Sequence, residues 1–249
     1  MNWSKRKLLG QHNLIDPKIV ARIVEISNIN KNESVCELGA GDGVLTNELC
    51  RHAGSVISFE IDYELYKKLR PLRLALPNLR LVNSDFFKIK KNTKFDVFIS
   101  NLPYSKSREI FQWLSLQKFN RAILMVQKEF VDKLLANPGE RNYRVITVLT
   151  QYRFHIQRLF NVKKESFDPE PSIESEVIRL FPKSKSGGIT EHTIFNLNLL
   201  FSHRNRQARS ILKRYGFELS NDYSDDIRID QLPPFDLINL ARSLYRINN

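Results

Sequence analysis

A glycine-rich loop between two predicted regular elements constrains the fold of this chain more than any other feature. Ser34–Leu38 has the apolar pattern of a buried strand, and a helix is expected over residues 44–51. Gly39, Gly41 and Gly43 lie between them. Glycines allow the backbone to turn tightly and let a ligand approach without interference from a Cβ atom. The segment therefore predicts the opening unit of an α/β domain with a ligand site in its first loop.

Strand-like and helix-like segments alternate through the first 180 residues, which predicts βαβ units around a mainly parallel sheet. Further strands are predicted at Ser55–Ile61, Leu79–Asn83, Phe95–Ser100 and Arg121–Gln127. Phe154–Val162 and Ile173–Phe181 are expected to pair as an antiparallel hairpin at the sheet edge. After a polar linker the pattern is helical, so we predict a catalytic domain at residues 1–183 and a small helical C-terminal domain at 189–249.

Acidic residues around the glycine loop indicate an adenosine ligand that carries a positive charge. Glu60 follows Gly39 at the end of the next strand, where a carboxylate can accept hydrogen bonds from both ribose hydroxyls. The G-x-G-x-G spacing differs from the nicotinamide fingerprint, and the loop lacks the Lys-Ser/Thr pair of a P-loop. Glu37 suits the cationic methionine end of S-adenosylmethionine better than a pyrophosphate. The loop favours a methyltransferase over a dehydrogenase, although a purely structural turn would use the same glycines.

Asp85 lies just past the strand Leu79–Asn83, where a third loop would reach the adenine of the cofactor. Its carboxylate can accept from the exocyclic amine, but Ser84-Asp85 is equally compatible with a helix N-cap. The predicted cofactor contacts also include Ile61 and Phe86, which directly follow the two acids.

The tetrapeptide Asn101-Leu102-Pro103-Tyr104 follows a predicted strand and has the chemistry needed to methylate an adenine amine. The lone pair of that amine is delocalised into the ring, so the amine is a poor nucleophile. The Asn101 side-chain oxygen and the carbonyl of Leu102 or Pro103 can accept its two N–H bonds and direct the lone pair at a methyl donor. Tyr104 offers an aromatic face to a flipped-out base. The same four residues also make an ordinary turn.

Charge and cysteine content add weaker constraints. The net charge of +12 favours a polyanionic partner, although a basic proteome or a solvated surface would also explain it. Cys36 and Cys50 are expected to be buried thiols, and no Cys/His cluster has zinc spacing. We expect a cytoplasmic protein, a monomer, without bound metal or membrane association.

Taken in order, these motifs resemble the ribosomal RNA adenine dimethyltransferases of the KsgA type, in particular archaeal members, with the Erm methyltransferases as relatives. The segment Gly10–Leu14 resembles the family's opening G-Q-[NH]-F-L motif, with Asn13 in place of the usual aromatic. Gln127-Lys128-Glu129, Phe167-Asp-Pro-Glu-Pro171 and the arginine-rich Phe201–Arg206 also match. Lys106 stands where an apolar residue is common. The resemblance covers about residues 8–215.

The resemblance implies a class I methyltransferase fold and S-adenosylmethionine as cofactor. It implies cofactor contacts at His12, Leu14, Gly39, Glu60, Asp85 and Asn101, and a target base stacked on Phe167. The implied partner is the immature 30S subunit, where two adjacent adenosines near the 3′ end of the small-subunit rRNA would each be dimethylated.

The helical region carries a run of basic residues without an acid, and we predict that four of them bind RNA: Arg204, Arg206, Arg209 and Lys213. At helical spacing Arg206, Arg209 and Lys213 would share one face, which would contact rRNA phosphates unless it is simply a solvated surface. Lys5-Arg6-Lys7 is either a basic arm or a tail without function.

Two other functions are compatible with these residues. One is an Erm-type methyltransferase acting on large-subunit rRNA. The other is a ribosome-assembly factor that has lost catalysis, against which the intact Glu60, Asp85 and Asn101–Tyr104 argue.

Overall fold

The computed structural model describes residues 12–89, 93–184 and 187–244. The first two residues of the predicted Gly10–Leu14 motif, and the basic segment Lys5–Lys7, lie outside the described residues.

A seven-stranded sheet forms the centre of the first compact unit. Its strands are β2 (Ser34–Leu38), β3 (Ser55–Glu60), β4 (Leu79–Asn83), β5 (Val97–Asn101), β6 (Arg121–Gln127), β7 (Phe154–Val162) and β9 (Ser175–Pro182). Their order across the sheet is β4-β3-β2-β5-β6-β9-β7. The first five are parallel, and β9 is antiparallel to β6. The predicted mainly parallel sheet, with its antiparallel element at the β7 edge, is confirmed.

The parallel strands are buried because helices cover them, so their sequences are apolar rather than alternating. Residues 122–126 in β6 are all buried, and Val35 and Cys36 in β2 are fully enclosed.

In chain order the helices are α1 (Pro17–Ser27), α2 (Val44–His52), α3 (Tyr63–Ala75), α4 (Phe86–Ile89), α5 (Ser107–Ser115), α6 (Lys128–Leu134), α7 (Val145–Arg153), α8 (Glu191–Ser202), α9 (Ala208–Arg214) and α10 (Pro234–Ser243).

Local signals in the sequence explain where several helices begin. The carboxylate of Asp16 accepts the N–H of Lys18 at 2.9 Å, and Pro17 occupies the first turn of α1. Asp62 caps α3 in the same way, accepting from Glu64 at 2.8 Å. Helices α6 and α7 have no counterpart in the sequence prediction. Most of α7 is buried, so its sequence shows no clear amphipathic pattern, whereas α6 is short and buries only Val131 and Leu134.

A second, two-stranded sheet joins distant parts of the chain. In it β1 (Asn13–Leu14) pairs antiparallel with β8 (Phe167–Asp168), so Leu14 lies opposite Phe167. The end of the opening segment is thereby held against Phe167–Pro171, the segment that matches the family's F-x-P-x-P motif.

The chain divides into two compact units. The first comprises residues up to Ser107, Lys118–Lys128 and Ile156–Phe181, and the second Arg108–Gln117, Glu129–His155 and residues from Pro182 onward. The second unit has its own apolar core, which includes Tyr143, Leu197 and Leu237. This unit takes in helices on both sides of the linker. The predicted domains at 1–183 and 189–249, which were drawn from the linker and the helical pattern after it, stay a prediction. No helix among the described residues is long and apolar enough to cross a membrane.

Candidate active site

The strand order of the large sheet reverses between β2 and β5, and ligands of α/β sheets bind at the carboxyl ends of strands at such a point. A pocket of about 230 Å³ lies there. Eleven of the predicted site residues line it: His12, Gly39, Gly41, Glu60, Ile61, Asp85, Phe86, Asn101, Leu102, Pro103 and Tyr104. Motifs spread over more than 90 residues of sequence thus meet in one cavity.

The three glycines of the loop have different structural reasons for being glycine. All three have positive φ, at +81° for Gly39, +56° for Gly41 and +82° for Gly43. A Cβ on Gly39 would lie 4.0 Å from the Asn101 carbonyl, so the loop after β2 passes close to the end of β5. A Cβ on Gly43 would lie only 2.4 Å from the buried Leu69 side chain. Gly43 does not line the pocket, and its lack of a side chain lets α2 begin close to α3. Its predicted contact with the cofactor stays a prediction.

Glu60 lies at the end of β3 with its carboxylate held by the backbone. One oxygen accepts the N–H of Gly41 at 2.9 Å and the other accepts that of Asp62 at 2.8 Å. Burial raises the pKa of this carboxyl, while the two backbone hydrogen bonds oppose the rise. The orientation is therefore fixed, and the remaining lone pairs at the pocket can accept hydroxyl groups.

Asp85 combines the two roles that the sequence left open. Its carboxylate accepts the N–H of Phe87 at 3.0 Å, as expected of a residue that precedes a helix, and the residue also lines the pocket. Phe86 is buried beneath the pocket, whereas Ile61 is 60% exposed beside it. An apolar side chain so exposed at a cavity can cover one face of a planar ligand.

Glu37 is fully enclosed next to a second, smaller cavity of about 40 Å³, which Leu14 and Asn13 also line. One carboxylate oxygen accepts the hydroxyls of Thr46 and Ser58, both at 2.6 Å. The other has no hydrogen-bond partner among the described residues. A buried carboxylate oxygen without a partner is costly, and a cationic group in the small cavity would satisfy it.

The burial of Glu37 predicts a pH dependence of stability. Burial raises its pKa to about 7, although the hydroxyls of Ser58 and Thr46 lower it. A carboxyl whose pKa is higher in the folded state than its unfolded value of about 4.3 keeps its proton longer when folded, so stability falls as pH rises between these values. We expect the free energy of unfolding to fall less from pH 5 to pH 7.5 in Glu37→Gln than in the unsubstituted protein. Urea unfolding at the two pH values measures this, and equal falls would contradict it.

Asn101, the last residue of β5, has a defined amide orientation. Its Nδ2 donates to the backbone carbonyl of His12 at 2.8 Å, which leaves the Oδ1 atom as the free acceptor. The following residue is anchored as well, because the N–H of Leu102 donates to the Met125 carbonyl in β6 at 3.1 Å. The Pro103 carbonyl accepts the N–H of Lys106 at 2.8 Å. The Leu102 carbonyl is therefore the better candidate for a second acceptor at the pocket.

The Tyr104 ring is held from two directions. Its hydroxyl forms a 2.5 Å hydrogen bond with the Ser175 hydroxyl. The His12 ring stacks on it with the centroids 5.2 Å apart and the planes inclined by 29°. His12 in turn lies 2.6 Å from the Pro169 carbonyl through Nδ1. These contacts hold an aromatic face beside Asn101.

The predicted base-stacking role of Phe167 is not supported by its position. Phe167 is 2% exposed, belongs to the apolar core of the first unit, and does not line the pocket. Its strand pairing with β1 turns the side chain inward, and its contact with a base stays a prediction. The aromatic contact to Tyr104 comes from His12 instead.

The basic residues predicted to bind RNA do not form the expected helical face. Arg206 precedes α9, which begins at Ala208. Arg209 donates to the carbonyls of Leu219, Ser220 and Tyr223 at 3.1, 3.2 and 2.8 Å, so it holds the following loop. Lys213 is exposed on the same helix. Helical spacing predicted one face for these residues, but the helix begins after Arg206, and Arg209 binds backbone carbonyls of the following loop.

The neighbours of the site that were not predicted include Ser175, Phe87 and Lys106. Ser175 fixes the Tyr104 hydroxyl, and Phe87 lines the pocket with the Lys106 ammonium 5.6 Å from its ring centroid. Lys106 was noted only as a departure from the family. The position of Lys106 just after the tetrapeptide was the only indication in the sequence that it lies at the site. Nothing in the sequence around Ser175 indicates a role there.

Comparison with known proteins assigns the family. The family model described as ribosomal RNA adenine dimethylase matches residues 2–238. "Ribosomal RNA small subunit methyltransferase A" of Thermotoga petrophila is 32% identical over 235 residues, which cover 92% of this chain and 90% of that protein. The crystal structure of a dimethyladenosine transferase from Plasmodium falciparum has a TM-score of 0.78 at 26% identity, with 95% of this chain and 98% of that chain covered. The 23S rRNA methyltransferase ErmE, at 24% identity and a TM-score of 0.62 over 95% of this chain and 99% of that chain, shares the fold. The fold is that of a class I methyltransferase, and the chain belongs to the ribosomal RNA adenine dimethylase family.

Proposed function

We propose that this protein uses S-adenosylmethionine to dimethylate N6 of two adjacent adenosines in a hairpin near the 3′ end of small-subunit rRNA. Membership of the adenine dimethylase family supports the reaction, and the printed name of the Thermotoga petrophila relative supports the small-subunit target. The observation that carries the proposal is the Asn101 amide, whose nitrogen is occupied by His12 so that its oxygen is the acceptor at the pocket.

The residues around the pocket suit S-adenosylmethionine as the methyl donor. Glu60 is oriented to accept the ribose hydroxyls, Asp85 to accept the adenine amine, and the enclosed Glu37 offers a carboxylate oxygen to the cationic end. When bound, the cofactor supplies an electrophilic methyl group on a positively charged sulfur. The assignment of these residues to cofactor groups is part of the proposal.

The target amine needs two acceptors and no strong base. Asn101 Oδ1 and the Leu102 carbonyl accept its two N–H bonds, which favours a pyramidal nitrogen with its lone pair available. Tyr104 supports the base from one face. After transfer the nitrogen carries a positive charge and can release a proton to water. The monomethylated amine keeps one N–H, so the same acceptors can hold it for the second round.

The rate enhancement in this scheme comes from position rather than from acid–base chemistry. Holding the nitrogen beside the methyl donor replaces a bimolecular encounter, and burial of the donor's cation in the pocket would remove part of its solvation. Anchoring of both acceptors by neighbouring segments supports this, because Leu102 is tied to β6 and Asn101 to His12.

Methylation of separated ribosomal particles tests the target. We expect purified immature 30S particles to accept up to four methyl groups, two on each of two adjacent adenosines, and 50S particles to accept none above background. Mapping the modified nucleotides by mass spectrometry identifies the site. Methylation of 50S particles alone would replace the proposal with an Erm-type activity. Absence of transfer to any particle, with intact cofactor binding, would favour an assembly factor.

A further inference from the structure

The Tyr104 ring and the Leu102 carbonyl are both anchored to the antiparallel strand pair β6–β9. The N–H of Leu102 donates to the Met125 carbonyl in β6 at 3.1 Å. Ser175 is the first residue of β9 and lies opposite Gln127, the last residue of β6. Its hydroxyl is 2.5 Å from the Tyr104 hydroxyl. One rigid piece of sheet therefore sets the position of the carbonyl and of the ring relative to each other.

Ser175 is the fixed partner in this hydrogen bond, and Tyr104 is the one that is held. Ser175 is fully buried, and each residue from Ser175 to Leu180 is paired with a residue of β6. Tyr104 is half-buried and belongs to the short 3-10 turn Tyr104–Lys106, which by itself leaves the ring free to turn about its side-chain bonds. The stacked His12 ring restricts it less than a hydrogen bond does, because stacked rings can slide over each other. The hydroxyl bond at the far end of the ring therefore determines its tilt.

The Tyr104 hydroxyl is suited to donate this bond. Burial raises its pKa, while the hydrogen bond with Ser175 opposes the rise. The phenol accordingly keeps its proton at neutral pH. A buried phenol without a partner would be costly, so the ring has one favourable orientation, in which its hydroxyl meets Ser175.

The two rounds of methylation proposed above differ in how the target amine is held. In the first round two N–H groups donate, to Asn101 Oδ1 and to the Leu102 carbonyl. After one methyl transfer a single N–H remains, so one of these acceptors loses its partner. Stacking on Tyr104 then contributes a larger share of the interactions that orient the base. A change in the tilt of the ring should therefore slow the second transfer more than the first.

We propose that Ser175 is a positioning residue for the second methyl transfer, because its hydroxyl fixes the Tyr104 ring on which the monomethylated base stacks. In that transfer the nitrogen lone pair forms the new N–C bond, the electron pair of the broken S–C bond stays on sulfur, and the remaining amine proton goes to water. Ser175 acts only through Tyr104 and takes no part in these bonds. The inference rests on the proposed function and deepens it.

Single-turnover methylation of 30S particles, with mono- and dimethyladenosine separated by mass spectrometry, tests the proposal. In Ser175→Ala we expect the rate of the second transfer to fall about three- to tenfold more than that of the first, the factor that one hydrogen bond is worth. Monomethyladenosine should accumulate as a result. Ser27→Ala is the matched control, since it removes a buried hydroxyl that donates to the Val24 carbonyl at 2.6 Å and does not line the pocket. The ratio of its two rates should stay that of the unsubstituted protein.

The ratio of the two rates separates positioning from a merely structural role. A less stable protein contains less folded enzyme, which slows both transfers by the same factor and leaves the ratio unchanged. Tyr104→Phe removes the same hydrogen bond from the other side and keeps the aromatic ring, so it should shift the ratio as Ser175→Ala does. The double variant should shift it no further, because both substitutions remove one interaction.

Three results would overturn the inference. An unchanged ratio in Ser175→Ala and in Tyr104→Phe, while the unsubstituted protein dimethylates 30S particles, removes it and leaves the proposed function standing. Additive shifts in the double variant would show that Ser175 does not act through Tyr104. If the unsubstituted protein adds no second methyl group, the proposed function and this inference fail together.

Discussion

Replacing Asn101 with alanine should reduce the rate of methyl transfer by about 10²–10³-fold, the range seen when one preorganised polar partner of a reacting group is removed. The substitution removes the Oδ1 acceptor for the target amine and leaves the Leu102 carbonyl alone. It also removes the hydrogen bond from Nδ2 to the His12 carbonyl. Since Glu60, Asp85 and Glu37 remain in place, the affinity for S-adenosylmethionine should change by less than about tenfold.

Single-turnover transfer of a labelled methyl group to 30S particles measures the first effect, and calorimetric titration with the cofactor measures the second. Asn137→Ala is a suitable control, because that asparagine also donates through its side chain but serves a loop and does not line the pocket. A normal transfer rate in Asn101→Ala would exclude the proposed hydrogen bond from the target amine to Asn101 Oδ1. A loss of cofactor binding as large as the loss of rate would mean that Asn101 acts through the cofactor.

Alanine at Gly43 should cost about 2–5 kcal/mol of stability, which is large for one methyl group. A residue with a side chain is strained by about 1–2 kcal/mol at a φ of +82°, and overpacking adds about 1–3 kcal/mol. The added Cβ would meet the buried Leu69 at 2.4 Å and Leu72 at 3.2 Å. Much of this loss falls on the packing of α2 against α3.

Gly39→Ala provides the matched comparison. Its φ of +81° carries the same strain, but its Cβ would meet nothing closer than 4.0 Å. Gly39 lines the pocket and Gly43 does not. Urea unfolding should therefore show the larger loss in Gly43→Ala, and cofactor titration of the folded proteins should show the larger loss in Gly39→Ala. The opposite ranking in either measurement would contradict the roles assigned to the two glycines.

Much of the site was predictable because its residues belong to short motifs, each of which follows the end of a parallel strand. Each of Gly39, Glu60, Asp85 and Asn101 lies at or just after the end of a predicted parallel strand. The carboxyl ends of parallel strands share one edge, so order along the chain was enough to predict that these residues meet. The glycine loop also carries its own backbone requirement, which is visible in the residue type.

The contacts that the sequence did not predict join residues that are far apart in sequence. Phe167 was expected at the base, but pairing with Leu14, 153 positions earlier, turns it into the core. The ring over Tyr104 belongs to His12, and the hydroxyl that fixes Tyr104 belongs to Ser175. A periodic pattern predicts which residues share a face, but it contains no information about which distant segment covers that face.

The sequence by itself thus determined the α/β fold, the position of the pocket and the amine-holding tetrapeptide, because strand ends, glycine conformations and residue chemistry are local properties. Only the tertiary structure decided the orientation of the Asn101 amide, the burial of Phe167 and the use of Arg209 inside the protein. It also joined the loop before α7 to the turn that carries Arg204, through backbone hydrogen bonds that both segments form with Asp230. Each of these depends on a hydrogen bond or a packing contact between separate segments, and such contacts exist only after the chain has folded.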